Sequence, residues 1–234
     1  IGIYADSTSS AGVTVEGCEF SITTVPFSCP AGVGIHATAN SRLTVRSSRF
    51  VNNLSCGGGG GIHCDGLGTI ERCVFVGNEG QFDGGAALFS FQGETTVTDS
   101  IFVGNDRAGF STVAAHGVMH FVNCTFASNG NTNAAHFVVN TSGAVGSTFE
   151  NCVIWGNMSS LGDASAVVFD ALNGGTRFDS CLVQAWNGTV PGTNSFAADP
   201  LFVSVAGLDG VLGTIDDDLR LSAEIGRASC RERV

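Results

Sequence analysis

The chain has 234 residues, a formal net charge of −11 and only 13% charged residues. That balance excludes non-specific nucleic-acid binding, because no basic stripe exists to displace counterions from phosphates. The length suffices for a sizeable core, and no apolar run reaches the roughly 18 residues that would suggest a membrane span.

In chain order, one pattern returns along most of the sequence. It begins in degenerate form as VTVEGCEF at Val13–Phe20. Fuller copies are LTVRSSRFVNN at Leu43–Asn53, GTIERCVFVGN at Gly68–Asn78, TTVTDSIFVGN at Thr95–Asn105, MHFVNCTFASN at Met119–Asn129 and STFENCVIWGN at Ser147–Asn157. TRFDSCLV at Thr176–Val183 is a last partial copy. The skeleton is an apolar residue, two variable ones, Cys or Ser, one variable, an apolar residue, two variable, then Asn.

The second apolar position falls at Phe20, Phe50, Phe75, Phe102, Phe126, Ile154 and Val183, with gaps of 30, 25, 27, 24, 28 and 29 residues. Self-similarity of this length signals a solenoid, in which each unit buries its apolar side only by stacking on neighbours. Unequal gaps put loops of different length between fixed strands. Within TIERCVF the apolar residues change phase once, as two short strands separated by a bend would require. GVGIHA at Gly32–Ala37, GGGIHC at Gly59–Cys64 and GGAALF at Gly84–Phe89 each read as a tight turn feeding another strand. Gly contributes 33 residues and Lys none, while Val, Ile, Thr and Phe fill the regular positions, a β-favouring usage.

Two or three short strands per unit describe an all-β fold, a right-handed single-stranded parallel β-helix of about seven coils over residues 1–187. A leucine-rich repeat has an overlapping period of roughly 20–29 residues. Its leucine columns are missing, since only Leu43 and Leu182 occur within the motif copies. Stacked coils place each column in a ladder with neighbours roughly 4.8 Å apart, making a rod on the order of 30 Å long. The aromatic column is expected inside. The Cys/Ser column (Cys18, Ser48, Cys73, Ser100, Cys124, Cys152, Cys181) is expected inward at a bend. The Asn column (Asn53, Asn78, Asn105, Asn129, Asn157) is expected at a turn, with Asn itself in the αL region and its amides bonded from coil to coil.

The nine Cys do not read as a disulfide framework, and five of them stand in the inward column as small hydrophobes. Cys29 and Cys56 occupy matching places in SCPAGVGIH and SCGGGGGIH, so they are either a disulfide or two free thiols. Cys64 has no obvious partner, and no CxxC metal pattern exists.

Asn187–Asp199 reads as an exit from the regular coil. Residues 188–223, with DPLFV at Asp199–Val203 and LDGVLGTIDDDLRLS at Leu208–Ser222, are expected to cap the open coil end. Residues 224–234 contain IGRASCRERV at Ile225–Val234, which resembles the translation of a sequencing adapter and is set aside from fold reasoning. With neither Met nor signal peptide at Ile1, native sequence is expected beyond both ends.

Four groups could carry chemistry. The position after the first apolar residue of the motif holds Glu16, Arg46, Glu71, Thr98, Val122, Glu150 and Asp179, so Glu150 and Asp179 are adjacent acids. They are a carboxylate pair of the kind a glycosidase needs or a solvated pair on the outer face. His36 and His63 align in GIH with Asp65 close by. They form a binding or acid/base patch, or two surface histidines beside inward Ile35 and Ile62. The Gly57–Gly61 run lacks the Lys and Ser/Thr of a phosphate loop and reads as a flexible turn. Asp209, Asp216, Asp217 and Asp218 are hard oxygen ligands in a Gly-bearing loop, which suits Ca²⁺. Their spacing is not that of an EF-hand, and a solvated acidic turn is the alternative.

The copies of FxxN at Phe50–Asn53, Phe75–Asn78, Phe102–Asn105 and Phe126–Asn129, with GGA at Gly84–Ala86 and GGGI at Gly59–Ile62, resemble the repeats of polymorphic outer membrane proteins. The same region, Val13 to about Val183, resembles bacterial right-handed β-helix proteins related in fold to pectate lyases. DPLFV followed by DGVLGTIDDDLRLS is similar to the C-terminal end of many secreted β-helix proteins, where an SPxIDxG stretch absent here usually follows. The resemblance implies a secreted, outer-membrane or cell-surface location. It also implies an adhesin-like or structural role toward a polysaccharide or a cell-surface protein. A polysaccharide lyase or glycoside hydrolase of the same fold is the alternative, and would need a base with acids that hold Ca²⁺ or a carboxylate cluster.

Overall fold

The computed structural model describes residues 2–6, 12–21, 33–80, 85–105, 111–130, 137–140, 146–159, 168–169, 175–186, 188 and 190–222. Three parallel sheets of seven strands each run the length of the repeat region. The first contains Ile3–Ala5, Ile35–Ala37, Ile62–Cys64, Leu88–Ser90, Ser111–Ala115, Phe137–Asn140 and Val168–Phe169. The second contains Val13–Glu16, Arg42–Arg46, Leu67–Glu71, Glu94–Thr98, Val118–Val122, Thr148–Glu150 and Arg177–Asp179. The third contains Glu19–Phe20, Arg49–Val51, Val74–Val76, Ile101–Val103, Thr125–Ala127, Val153–Trp155 and Leu182–Val183. Each coil contributes one strand to each sheet in turn, which makes the molecule a right-handed parallel β-helix.

The motif sets the register. Phe20, Phe50, Phe75, Phe102, Phe126, Ile154 and Val183 are successive partners in the third sheet. Their rings stack almost parallel, with centroids 4.9 Å apart for Phe50–Phe75 and 4.7 Å for Phe75–Phe102. Such pairs contribute about 0.5–1.5 kcal/mol each beyond area burial. A shorter column, Phe121–Phe149–Phe178, fills the second sheet's inner face at 4.7 and 4.5 Å.

The Asn column forms a continuous buried ladder. Nδ2 of Asn53, Asn78, Asn105 and Asn129 donates to Oδ1 of the next Asn at 2.8, 2.9, 3.0 and 2.9 Å. Each Nδ2 also donates to the carbonyl of the preceding coil's Phe, as from Asn78 to Phe50 at 2.9 Å. The left-handed residue is not the Asn, as expected from sequence, but the one before it: Asn52, Gly77, Gly104, Ser128 and Gly156 all have φ between 53° and 67°. The bend must come one residue early so that the Asn side chain turns inward. A second left-handed residue precedes each Cys/Ser position, as at Ser47, Arg72, Asp99, Asn123, Asn151 and Ser180. The third-sheet strands from Arg49–Val51 to Leu182–Val183 are thus bracketed by two one-residue bends, the source of the phase change in TIERCVF.

The Cys/Ser column is buried except for Cys18, whose two flanking strands lie at the edges of their sheets. Ser and Cys are interchangeable here because both accept from one backbone and donate to another. Ser100 Oγ accepts from Cys73 N at 3.0 Å and donates to Thr98 O at 2.8 Å. Cys29 and Cys230 lie outside the described residues, and Cys56 is a free thiol. The Gly57–Gly61 run is not a free turn. Gly58–Gly61 is buried, Gly59 N donates to Gly85 O at 2.8 Å, and a Cβ on Gly61 would stand 2.6 Å from Ala87 O.

The coil end is covered by the first part of the 188–223 segment. Phe178 N and Ser180 N donate to Pro191 O and Thr193 O at 2.9 and 2.8 Å, and Val183 N donates to Phe196 O at 3.0 Å. Ser195 Oγ accepts from Cys181 N at 3.0 Å, extending the Cys/Ser column, and Gln184 Oε1 accepts from Asn157 N at 3.1 Å, ending the Asn ladder. With those groups satisfied, the following segment is free to turn back. An antiparallel pair, Phe202–Ser204 with Asp218–Leu221, belongs to a strap along the third sheet's side. Gly213 of the strap presses on Gly104, and Leu212 and Phe202 share a cavity with Ala127 and Trp155.

Candidate functional site

The residues with chemistry to offer gather where the first sheet hands over to the second. In a strand, alternate side chains point outward, so Ile35 and Ile62 face the core while His36 and His63 face out. His36 and His63 are register partners, with ring centroids 4.7 Å apart. The outward column continues as Tyr4, which is Tyr4–His36 edge-on at 5.3 Å, and Phe89, tilted on His63 at 4.8 Å. Phe91 and His116 close on Phe89 at 6.1 and 5.4 Å.

Asp65 lies two residues beyond His63, on the same side. Its carboxylate meets His63 Nε2 at 2.7 Å and His36 Nε2 at 3.9 Å. Its amide donates to Ala37 O at 2.8 Å, which fixes the backbone under it. The inward neighbour Cys64 is no nucleophile: burial pushes its thiol up to about 11.

Asp65 also forms part of the wall of a groove of about 500 Å³ lined by Ala39, Asn40, Ser41, Arg42, Gly66, Leu67, Gln92 and Gly93. Its floor is bare backbone. Gly66, Gly93 and Gly117 stack from coil to coil so closely that a Cβ on Gly93 would strike the Gly66 carbonyl, and one on Gly117 the Gly93 carbonyl. Asn40 turns the chain at φ 64°, a conformation Asn tolerates better than most residues. Asn40, Arg42 and Gln92 are exposed on the rim.

The other sequence candidates lie elsewhere and do not converge with this corner. Glu150 and Asp179 are register partners on the second sheet, but Asp179 is already engaged. The Thr193 hydroxyl and the Arg177 guanidinium hold its carboxyl below the ordinary value, with Thr193 Oγ1 at 2.8 Å. Asp209, Asp216 and Asp217 cluster about Thr214 in the strap. Asp216 accepts from Leu208 N at 2.6 Å and Thr214 Oγ1 at 2.7 Å, and Asp217 from Gly213 N at 2.8 Å. Asp218 turns to Arg220 at 2.8 Å. These carboxylates serve their own loop's donors. Among the described residues, the group that brings three potential metal-ligand atoms together is His36, His63 and Asp65.

One outward column of the second sheet begins with threonines and continues through His120, Thr148 and Arg177. Thr14, Thr44, Thr69 and Thr96 are successive partners. Beside them Glu16, Arg46 and Glu71 form a charged row, in which Arg46 Nε pairs with Glu71 at 2.9 Å. Sequence reading found the histidines and Asp65. It missed Asn40, Arg42, Gln92 and the glycine column, although Gly directly precedes three consecutive second-sheet strands, in Asp65–Gly66, Gln92–Gly93 and His116–Gly117.

Seven-stranded parallel sheets, in-register columns and the Asn ladder define a class of solenoid. The family described as the right handed beta helix region matches residues 1–183, and the chain belongs to that family. No curated protein and no solved structure matches it. Among the described residues no helix is long and apolar enough to cross a membrane.

Proposed function

We propose that this β-helix is an exported or cell-surface binding module, adhesin-like or structural rather than enzymatic, that holds a polysaccharide in the corner groove. The observation that carries the reading is the groove itself, with a floor of bare glycine backbone and a rim of Asn40, Arg42 and Gln92. Side-chain amides and a guanidinium supply the donors that sugar hydroxyls and carboxylates accept. Polar groups of this kind at the rim orient a ligand, and a rigid floor lets it approach closely without ordering cost.

The lyase or hydrolase reading would draw on the Glu16–Arg46–Glu71 row or on Glu150 and Asp179. In the row the guanidinium is committed to Glu71 at 2.9 Å, and Asp179 is committed to Thr193 and Arg177. The threonine column beside the row, Thr14 to Thr96, favours the binding reading.

The test is to incubate the full chain with neutral and uronic polysaccharides and to read both retained polysaccharide and new chain ends. Retention without new ends is expected, reduced by Arg42→Ala and Gln92→Ala. New reducing or unsaturated ends would replace the binding reading with the enzymatic one. Retention unchanged in both variants would move the binding surface away from the groove.

A further inference from the structure

Two geometric rules of a parallel sheet bring His36, His63 and Asp65 together. Outward residues of adjacent strands lie roughly 4.8 Å apart, and residues two apart on one strand share a face. The first rule places His36 beside His63, and the second, carried one residue past the strand end by the bond from Asp65 N to Ala37 O at 2.8 Å, places Asp65 beside His63. One ligand atom from each lies within 4.8 Å of the others. The side chains are 21%, 12% and 21% exposed, so the group is partly withdrawn from water yet reachable.

The distances suit a small cation. Donors held at 2.0–2.1 Å from a tetrahedral centre stand roughly 3.3 Å apart. Asp65 Oδ1 is 2.7 Å from His63 Nε2 and Asp65 Oδ2 is 3.9 Å from His36 Nε2, so the two carboxylate oxygens straddle that spacing. Small side-chain rotations open the first and close the second. The orientation is also prepared. His63 Nδ1 faces Gly58 O at 3.4 Å, the second-sphere contact that leaves Nε2 available to a metal. Tyr4 and Phe89 flank the imidazole pair from either side.

We propose that His36 Nε2, His63 Nε2 and the Asp65 carboxylate form a binding site for a divalent transition metal of the Zn²⁺ type, with a fourth position open toward the corner groove. Two imidazoles and one carboxylate select Zn²⁺ and its first-row neighbours over Ca²⁺ and Mg²⁺, which take oxygen ligands. The inference goes beyond the polysaccharide reading and does not depend on it.

The experiment titrates the full chain with ZnCl₂ and with CoCl₂ in the absence of polysaccharide. It follows heat, Co²⁺ absorption and the imidazole NMR signals. Cysteines compete for such ions, so the background carries Cys18→Ser, Cys29→Ser, Cys56→Ser and Cys230→Ser. One equivalent is expected to bind, moving the ring signals of His36 and His63 and leaving those of His120 in place. His36→Gln, His63→Gln and Asp65→Asn are each expected to weaken binding by roughly 10- to 100-fold or more. Equal affinity in all three variants, no binding, or unmoved His36 and His63 signals would overturn the site. If His63→Gln fails to fold, His36→Gln and the NMR signals of the chain with its histidines intact decide the question. Because no polysaccharide is present, failure here leaves the groove reading standing.

Discussion

Asn78 donates from Nδ2 to Asn105 Oδ1 at 2.9 Å while its own Oδ1 accepts from both N and Nδ2 of Asn53, at 3.2 and 2.8 Å. With the Phe50 carbonyl as its other acceptor, this buried amide is satisfied on every side. Asn78→Ala orphans two buried donors on Asn53, at about 1–3 kcal/mol each. A loss of roughly 2–6 kcal/mol is therefore expected in urea unfolding. Asn78→Asp should cost more, because it removes the Nδ2 donor and sets a carboxylate against Asn105 Oδ1. A midpoint within experimental scatter of the parent for Asn78→Ala would show that the ladder contributes little.

Gly61 and Gly17 separate two reasons for glycine. A Cβ on Gly61 would meet Ala87 O at 2.6 Å and the Phe75 ring at 3.0 Å, whereas one on Gly17 meets nothing within 4 Å. Gly17 instead has φ 63°. Gly61→Ala should force the coils apart at a cost of about 1–3 kcal/mol or more. Gly17→Ala should cost about 1–2 kcal/mol, from the left-handed backbone alone. The two differ in locality, so amide exchange in the neighbouring strand Leu88–Ser90 should rise only in Gly61→Ala. A rise of the same size in both variants would contradict the packing account.

The coil was legible because its determinants are columns. Phe75, Cys73 and Asn78 are specified by the same three places in the neighbouring copies, and register follows once one ladder is aligned. The αL position was assigned one residue late because Asn is the residue that usually tolerates it. Here Asn78 is fixed by the buried hydrogen bonds it makes, which a single sequence does not display. His36, His63 and Asp65 were legible from the same alignment, since GIHA and GIHC stack. Phe89 was not, because grouping Gly84–Phe89 with Gly59–Cys64 sets Phe89 against Cys64, one place off its register partner His63. The groove was invisible for another reason. It is formed by what Gly66 and Gly93 lack, and by Arg42 and Gln92, which sit on different coils at positions outside the motif. The strap was unreadable as a strap, since nothing local in LDGVLGTIDDD announces that Gly213 lies against Gly104.

Thiol reactivity should divide the cysteine column by position. Burial raises Cys73 above the ordinary thiol value. Contacts among the stacked thiols, with burial added, raise Cys152 and Cys181. Cys18 is exposed. The thiolate is the nucleophile, so brief iodoacetamide treatment of the native chain near neutral pH should alkylate Cys18 well before Cys73, Cys124, Cys152 or Cys181. All should react in denaturant. Peptide mass spectrometry gives the order, and early labelling of Cys152 would mean that the coils open faster than this packing allows.

Acid should loosen the strap before the coil. The Arg220 guanidinium holds the Asp218 carboxyl down at about 2, from an ordinary 3.8, and the Thr214 hydroxyl with the amides of Leu208 and Asp209 lowers Asp216. A group with a lowered folded pKa stabilises above its unfolded value, and that contribution is lost as pH falls through the folded one. Asp217 acts in the opposite sense. Burial raises it, so its contribution is present below its ordinary value and fades as pH rises through the raised one. The two lowered groups outnumber it, and for Asp218 the window runs from 3.8 down to about 2. Across that window the amides of Leu208, Asp209 and Arg220, which donate to Asp216 or Asp218 at 2.6, 3.1 and 3.2 Å, should lose hydrogen-exchange protection. The amides of Asn78 and Asn105 accept no help from any carboxylate, being bonded to neighbouring Asn side chains, and should keep theirs. Loss completed while the pH is still above 3.8, or simultaneous loss in strap and ladder, would assign the transition to global unfolding instead.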